Sequence, residues 1–120
     1  FMEEEIYQMM VATTEDQDEL ILENTTTLKV ARWWNRACDI IPCNGGKDIG
    51  IQKILDYFNF NKEEAMAFGD GGNDISMLKY VGTGVAMGNA KDNVKAIADY
   101  ITDSVQEDGI VSALKHFEIL

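Results

Sequence analysis

Residues 65–80 read Ala-Met-Ala-Phe-Gly-Asp-Gly-Gly-Asn-Asp-Ile-Ser-Met-Leu-Lys-Tyr. The short apolar run Ala65–Phe68 predicts a buried strand. It stops at Gly69 in a glycine-rich turn holding Asp70, Asn73 and Asp74, and a helix is expected over 74–80. In open α/β sheets, ligands gather at the carboxyl ends of the strands. Glycines there allow close backbone approach and positive φ, and free N–H groups at a helix start favour an anion. Asp70 at the strand tip is a hard oxygen donor of the kind that suits Mg²⁺. Asn73 and Asp74 are placed to contact a phosphate or to support the metal from behind. Two other loop types fail on spacing. A phosphate-binding loop of the G-x-x-x-x-G-K-S/T kind needs a Lys-Ser or Lys-Thr that does not follow. A calcium loop starting at Asp70 needs Gly and Glu where Ile75 and Val81 stand.

The pattern continues on both sides. Upstream, Ile51, Ile54, Leu55 and Phe58 fall on one helix face. Downstream come an expected strand at Gly84–Met87, a helix over 90–98 and a short strand at Tyr100-Ile101. A last helix follows, lined by Ile110, Leu114 and Phe117, with His116 in its final turn, where a cation suits the helix dipole. Strands alternating with helices predict a doubly wound parallel α/β sheet. Residues 1–43 have a different texture. They suggest a strand over 5–12, a helix over about 15–23 opened by the capping pattern Thr14-Glu15-Asp16-Gln17, and strands at Leu28–Trp34 and Cys38–Pro42 turned by Asn35-Arg36. Trp33 and Trp34 point to opposite faces, so one ring is expected to be buried. The only proline, Pro42, lies near the change, and a domain boundary is expected near residue 44.

Composition narrows the function. The chain has 120 residues, 46% hydrophobic and 26% charged, which is an ordinary globular balance. Its net charge of −11 argues against a nucleic-acid binder, because phosphate contacts need clustered Lys and Arg. Residues 1–24 hold eight carboxylates and no Lys or Arg, read as a solvated acidic face. No apolar run approaches the roughly 18 residues of a membrane span, and Phe-Met-Glu-Glu-Glu is not a secretory leader. Cys38 and Cys43 fit neither a disulfide framework nor a zinc pattern, so free thiols in a reducing cytoplasm are expected.

The run Gly69–Ala90 resembles the fourth motif, and the strand after it, of the haloacid dehalogenase (HAD) superfamily. It is most similar to the Cof-type phosphatases with a C2 cap. Their G-D-G-x-N-D-x-x-M-L pattern is matched by Gly69, Asp70, Gly71, Asn73, Asp74, Met77 and Leu78. Their G-x-A-M-G-N-A is matched by Gly84, Ala86, Met87, Gly88, Asn89 and Ala90. Ala98–Thr102 and Asp108-Gly109-Ile110 resemble the family's closing segment, and Lys47 its third-motif lysine. Two positions depart from the pattern. Asp48 stands where the family usually has Gly, and no D-x-D nucleophile motif follows an apolar strand; Asp16-Gln17-Asp18 lies in the expected acidic helix.

The resemblance implies an incomplete Rossmann-like HAD core over residues 44–120, preceded over 1–43 by the end of an α+β C2 cap. It implies a Mg²⁺-dependent phosphate monoester hydrolase working through an aspartyl-phosphate, with a small phosphorylated metabolite such as a sugar phosphate as substrate. The nucleophile and motif II would lie in a missing N-terminal part of the parent chain, so this chain alone is expected to be inactive. Asp70 would ligate Mg²⁺, Lys47 would neutralise phosphoryl charge, Asn73 would bind phosphate or substrate, and Asp74 would orient metal waters or neighbouring donors. Two other readings compete. One is a non-catalytic or split-enzyme HAD half. The other is the phosphorylation domain of a P-type ATPase, which usually has Ala-Pro after N-D, where this chain has Ile75-Ser76-Met77.

Overall fold

Two three-stranded sheets carry the fold, one antiparallel and one parallel, each in its own compact unit. The computed structural model describes residues 5–120; Glu3 and Glu4 of the acidic segment lie outside them. The first unit ends at Gly46 and the second is Lys47–Leu120.

In the first unit, β1 (Met9–Val11), β2 (Leu28–Trp34) and β3 (Ala37–Pro42) form a sheet of order β1-β3-β2. Asn35-Arg36 closes the β2–β3 hairpin beside a register shift between Arg32 and Trp34. The central strand β3 buries Cys38 and Ile40, two residues apart and so on one face. A 3₁₀ turn (Glu15–Gln17) leads into α1 (Asp18–Leu22). The Gln17 side chain accepts hydrogen bonds from the Thr14 N–H (3.4 Å) and the Thr13 hydroxyl (2.7 Å). Asp18 pairs with Arg32, whose guanidinium also donates to the Thr13 carbonyl (2.8 Å).

Two expectations need correction here. The strand expected over 5–12 is limited to Met9–Val11. Met9 pairs with Ile40, so an extended β1 would set Tyr7 opposite Pro42, which has no N–H to give. Neither tryptophan ring is buried: Trp33 is half-buried, and Trp34, at the end of the strand, is exposed.

In the second unit, β4 (Met66–Gly69), β5 (Thr83–Ala86) and β6 (Tyr100–Ile101) are parallel in the order β4-β5-β6. Between and around them run α2 (Lys47–Phe58), α3 (Ile75–Tyr80), α4 (Asp92–Lys95) and α5 (Gly109–His116). The core is made of small side chains, Ala67, Val81, Ala86, Ala90 and Val94 around Leu78. That composition lets α3 lie close on β5: a Cβ on Gly84 would stand 2.3 Å from the Leu78 carbonyl oxygen. Tyr100 stacks on His116 in the last turn of α5, with ring centroids 4.2 Å apart.

The helix expected over 90–98 is shorter, because the chain must leave it to reach β6. The Asp99 N–H donates to the Gly84 carbonyl (2.8 Å), and its carboxylate accepts from the Gly84 N–H (2.7 Å). The apolar face of α2 is only partly covered. Ile51 packs against the core, while Ile54 and Phe58 are each 60% exposed.

Candidate active site

β4 ends at Gly69, and the next residue, Asp70, emerges at the carboxyl edge of the parallel sheet. A 3₁₀ turn (Gly72–Asp74) then feeds directly into α3. Gly69 is required by proximity: a Cβ there would lie 2.6 Å from the Asp74 Cβ. Gly71 serves close approach too, since a Cβ there would stand 2.7 Å from the Asn73 Oδ1. The expected positive φ is not used, since Gly46 (φ 137°) is the only glycine with positive φ among the described residues.

Asp74 is the internal staple of this loop. Its side chain is buried, and Oδ2 accepts the N–H groups of Asp70 and Gly71, each at 3.0 Å. Oδ1 accepts the Lys47 ammonium from the start of α2. Two of the main-chain donors that sequence reasoning offered to an anion are therefore engaged by the chain's own carboxylate. Burial pushes the Asp74 carboxyl up, but the Lys47 ammonium and the two N–H groups outweigh it and hold the group below the ordinary aspartate range. Asp48, the departure from the family pattern, accepts a hydrogen bond from the Ser76 hydroxyl (3.2 Å) and ties the start of α2 to α3.

Asp70 is exposed, and its Oδ2 accepts the side-chain amide of Asn89 (3.0 Å). Asn89 follows the end of β5, and its Oδ1 accepts the N–H of Val105 (3.0 Å). The strand ends are laced together nearby. The Met87 N–H donates to the Gly69 carbonyl (2.9 Å), the Gly88 N–H to the Asp103 carbonyl (2.9 Å), and the Thr102 hydroxyl to the Gly109 carbonyl (2.6 Å).

Lys47, Asp70, Asp74 and Asn89 line one cavity of about 440 Å³, with Met77 and Met87 among its apolar walls. Of the residues singled out from sequence, Lys47, Asp70 and Asp74 are thus brought together. Asn73 sits on the same loop, half-buried, and is not part of the cavity wall. Asn89 joins Lys47, Asp70 and Asp74 on the cavity wall, a position of the G-x-A-M-G-N-A pattern to which the sequence alone attaches no role. The signal for it was its place at the carboxyl end of a neighbouring parallel strand.

No group of three or more His, Cys, Asp or Glu among the described residues makes a complete metal cage. Mg²⁺ does not need one. It commonly takes one or two carboxylates and completes its shell with water and substrate phosphate. An exposed carboxylate at a strand tip, with one oxygen already oriented by an amide and a cavity beside it, fits one oxygen ligand of such an ion.

The family model for haloacid dehalogenase-like hydrolases matches residues 1–114. YkrA of Bacillus subtilis (strain 168) is 40% identical over 116 residues, covering 97% of this chain and 45% of YkrA. The 5-amino-6-(5-phospho-D-ribitylamino)uracil phosphatase YitU of the same organism is 44% identical over 89 residues, 72% of this chain and 33% of YitU. Among solved structures, the HAD subclass IIB sugar phosphatase BT4131 superposes with a TM-score of 0.90 at 44% identity, covering 98% of this chain and 45% of BT4131. The chain therefore spans less than half the length of these three proteins.

Proposed function

The chain belongs to the haloacid dehalogenase-like hydrolases, among the Cof-type phosphatases of subclass IIB, and on that premise we propose that the intact protein is a Mg²⁺-dependent phosphate monoester hydrolase. The observation that carries the proposal is the meeting of Asp70, Lys47 and Asp74 at one cavity on the carboxyl edge of the parallel sheet.

In this reading Asp70 holds Mg²⁺. Held there, the ion would supply Lewis-acid stabilisation of the charge that develops on the phosphoryl group. Lys47 neutralises charge on the transferring phosphoryl group. Asp74 keeps the ammonium aimed and the Asp70 loop rigid; with both its oxygens engaged, its work is on neighbouring donors more than on metal waters. Asn73 is assigned as a donor to a phosphate or substrate oxygen.

The attacking carboxylate belongs to a part of the intact protein outside residues 1–120. Its oxygen forms a bond to phosphorus as the ester oxygen leaves with a proton from a second carboxylic acid of that same part; that carboxylate then takes a proton from water, whose oxygen attacks phosphorus, releasing inorganic phosphate and restoring the first carboxylate. Residues 1–43 are proposed to end a C2 cap and residues 44–120 to belong to the core. The substrate class proposed is a sugar phosphate or a similar small metabolite, in line with the sugar phosphatase BT4131. A cytoplasmic location is proposed on the two free thiols. No helix among the described residues is long and apolar enough to cross a membrane.

The test is release of inorganic phosphate from a panel of sugar phosphates, nucleotides and phosphorylated cofactors by the intact protein, in Mg²⁺ and in excess EDTA. At least one monoester is expected to be hydrolysed only with Mg²⁺. A folded intact protein that hydrolyses none of them, or hydrolyses them equally in EDTA, contradicts the proposal.

A further inference from the structure

We infer that Asn89 is a positioning residue for Asp70, and that the main-chain N–H of Val105 sets its orientation. The inference rests on the reading of Asp70 as the Mg²⁺ ligand. An asparagine side chain has one acceptor end and one donor end. Here both are used: Nδ2 donates to Asp70 Oδ2 and Oδ1 accepts from the Val105 N–H, each at 3.0 Å. The reversed amide would set NH₂ against the Val105 N–H and its oxygen against the carboxylate. The Val105 donor therefore forces a donor toward Asp70.

Val105 is a firm anchor. It opens a 3₁₀ turn (Val105–Glu107) after Ser104, whose hydroxyl donates to Glu107 (2.7 Å). The backbone of that turn lies so close to the loop after β5 that a Cβ on Gly88 would stand 2.6 Å from the Ser104 nitrogen. Asn89 is itself exposed, and neither of its bonds fills the core. Their effect is to occupy one Asp70 oxygen and stop the carboxylate from rotating, which leaves Oδ1 presented in a fixed direction. Partners that orient a metal ligand in this way typically change metal affinity about 10–100-fold when removed.

The test is Mn²⁺ binding to the intact protein, read from the free-ion signal in electron paramagnetic resonance, with the thermal midpoint of every variant measured alongside. Asp70→Ala is expected to lose binding. Asn89→Ala is expected to weaken it about 10–100-fold at an unchanged midpoint. Val105→Pro removes the N–H that orients Asn89 and also replaces a side chain that lines the cavity, a change that Val105→Ala controls for. Its place at the first position of the turn, after an extended Ser104 (φ −70°, ψ 166°), accommodates proline. It is expected to weaken Mn²⁺ binding in the same direction, whereas Val105→Ala, which keeps the N–H, is expected to leave it unchanged. The double variant Asn89→Ala/Val105→Pro should bind no worse than Asn89→Ala alone, since both act through one link. Val105→Pro decides the question even where Asn89→Ala does not fold. Wild-type affinity in Asn89→Ala or Val105→Pro, with binding lost in Asp70→Ala, overturns this inference and leaves the reading of Asp70 standing. Equal weakening by Val105→Ala and Val105→Pro, or additive losses in the double variant, overturns the role given to the Val105 N–H. Wild-type affinity in Asp70→Ala overturns both the inference and the metal reading beneath it.

Discussion

Asp74 spends both of its carboxylate oxygens inside the chain, on two main-chain N–H groups and one ammonium. Because its carboxyl is held below the ordinary aspartate range, its contribution is complete above that range, about pH 4, and is lost as pH falls through the lower folded-state value. Asp74→Asn in the intact protein is expected to cost about 1.5–3 kcal/mol near pH 7, the scale of hydrogen bonds to a charged group. The gap between wild type and variant should close as pH is lowered from about 4 toward 2. Urea unfolding across that range measures it, and a gap that stays constant would show that the ionised carboxylate is not what stabilises the loop. At this scale the sequence was partly legible. Two carboxylates after a strand marked the site and Asp74 was read as the one behind, but that both its oxygens are engaged inside the chain was not legible. Its inward seat depends on Gly69, whose missing Cβ makes room for Asp74. The contact of Asn89 with Asp70 was not legible, because it exists only once β5 is set beside β4.

Among the elements, the closeness of α3 to β5 places the loop, and Gly84 permits it. Gly84→Ala sets a methyl 2.3 Å from the Leu78 carbonyl, a main-chain atom that yields only if α3 moves. It is expected to destabilise the intact protein by about 1–3 kcal/mol in urea unfolding, the usual cost of overpacking. Unchanged stability would mean that the helix can shift without loss. The order of elements in this unit was readable because buried parallel strands are short apolar runs separated by helix periodicity. Helix burial was not. Ile51, Ile54, Leu55 and Phe58 share one face by spacing, yet only Ile51 and Leu55 are even half-buried. Periodicity shows which side of a helix is apolar and says nothing of what covers it. The short β1 has a comparable cause, since its partner strand ends in a proline 31 residues on from Val11 along the chain.

Across the whole molecule, two facts bear on association. Among the described residues, β4 and β6 are sheet edges, each paired on one side only. Large apolar side chains of the second unit stand open to solvent, among them Ile54, Tyr57, Phe58 and Phe60. Exposed edges and apolar patches invite pairing with another chain. Residues 1–120 expressed alone are therefore expected to self-associate, which light scattering after size-exclusion chromatography would detect. A monodisperse monomer with a cooperative unfolding transition would contradict this. In the intact protein the same surfaces are expected to be covered by the rest of the chain.

Asp70 is proposed to carry the metal-dependent step of phosphate ester hydrolysis. The deciding measurement is the rate of phosphate release from a monoester substrate of the intact protein, wild type against Asp70→Ala, in saturating Mg²⁺. The variant is expected to fall to the rate seen in EDTA while keeping the wild-type thermal midpoint. An Asp70→Ala protein that hydrolyses the ester at the wild-type rate would contradict it.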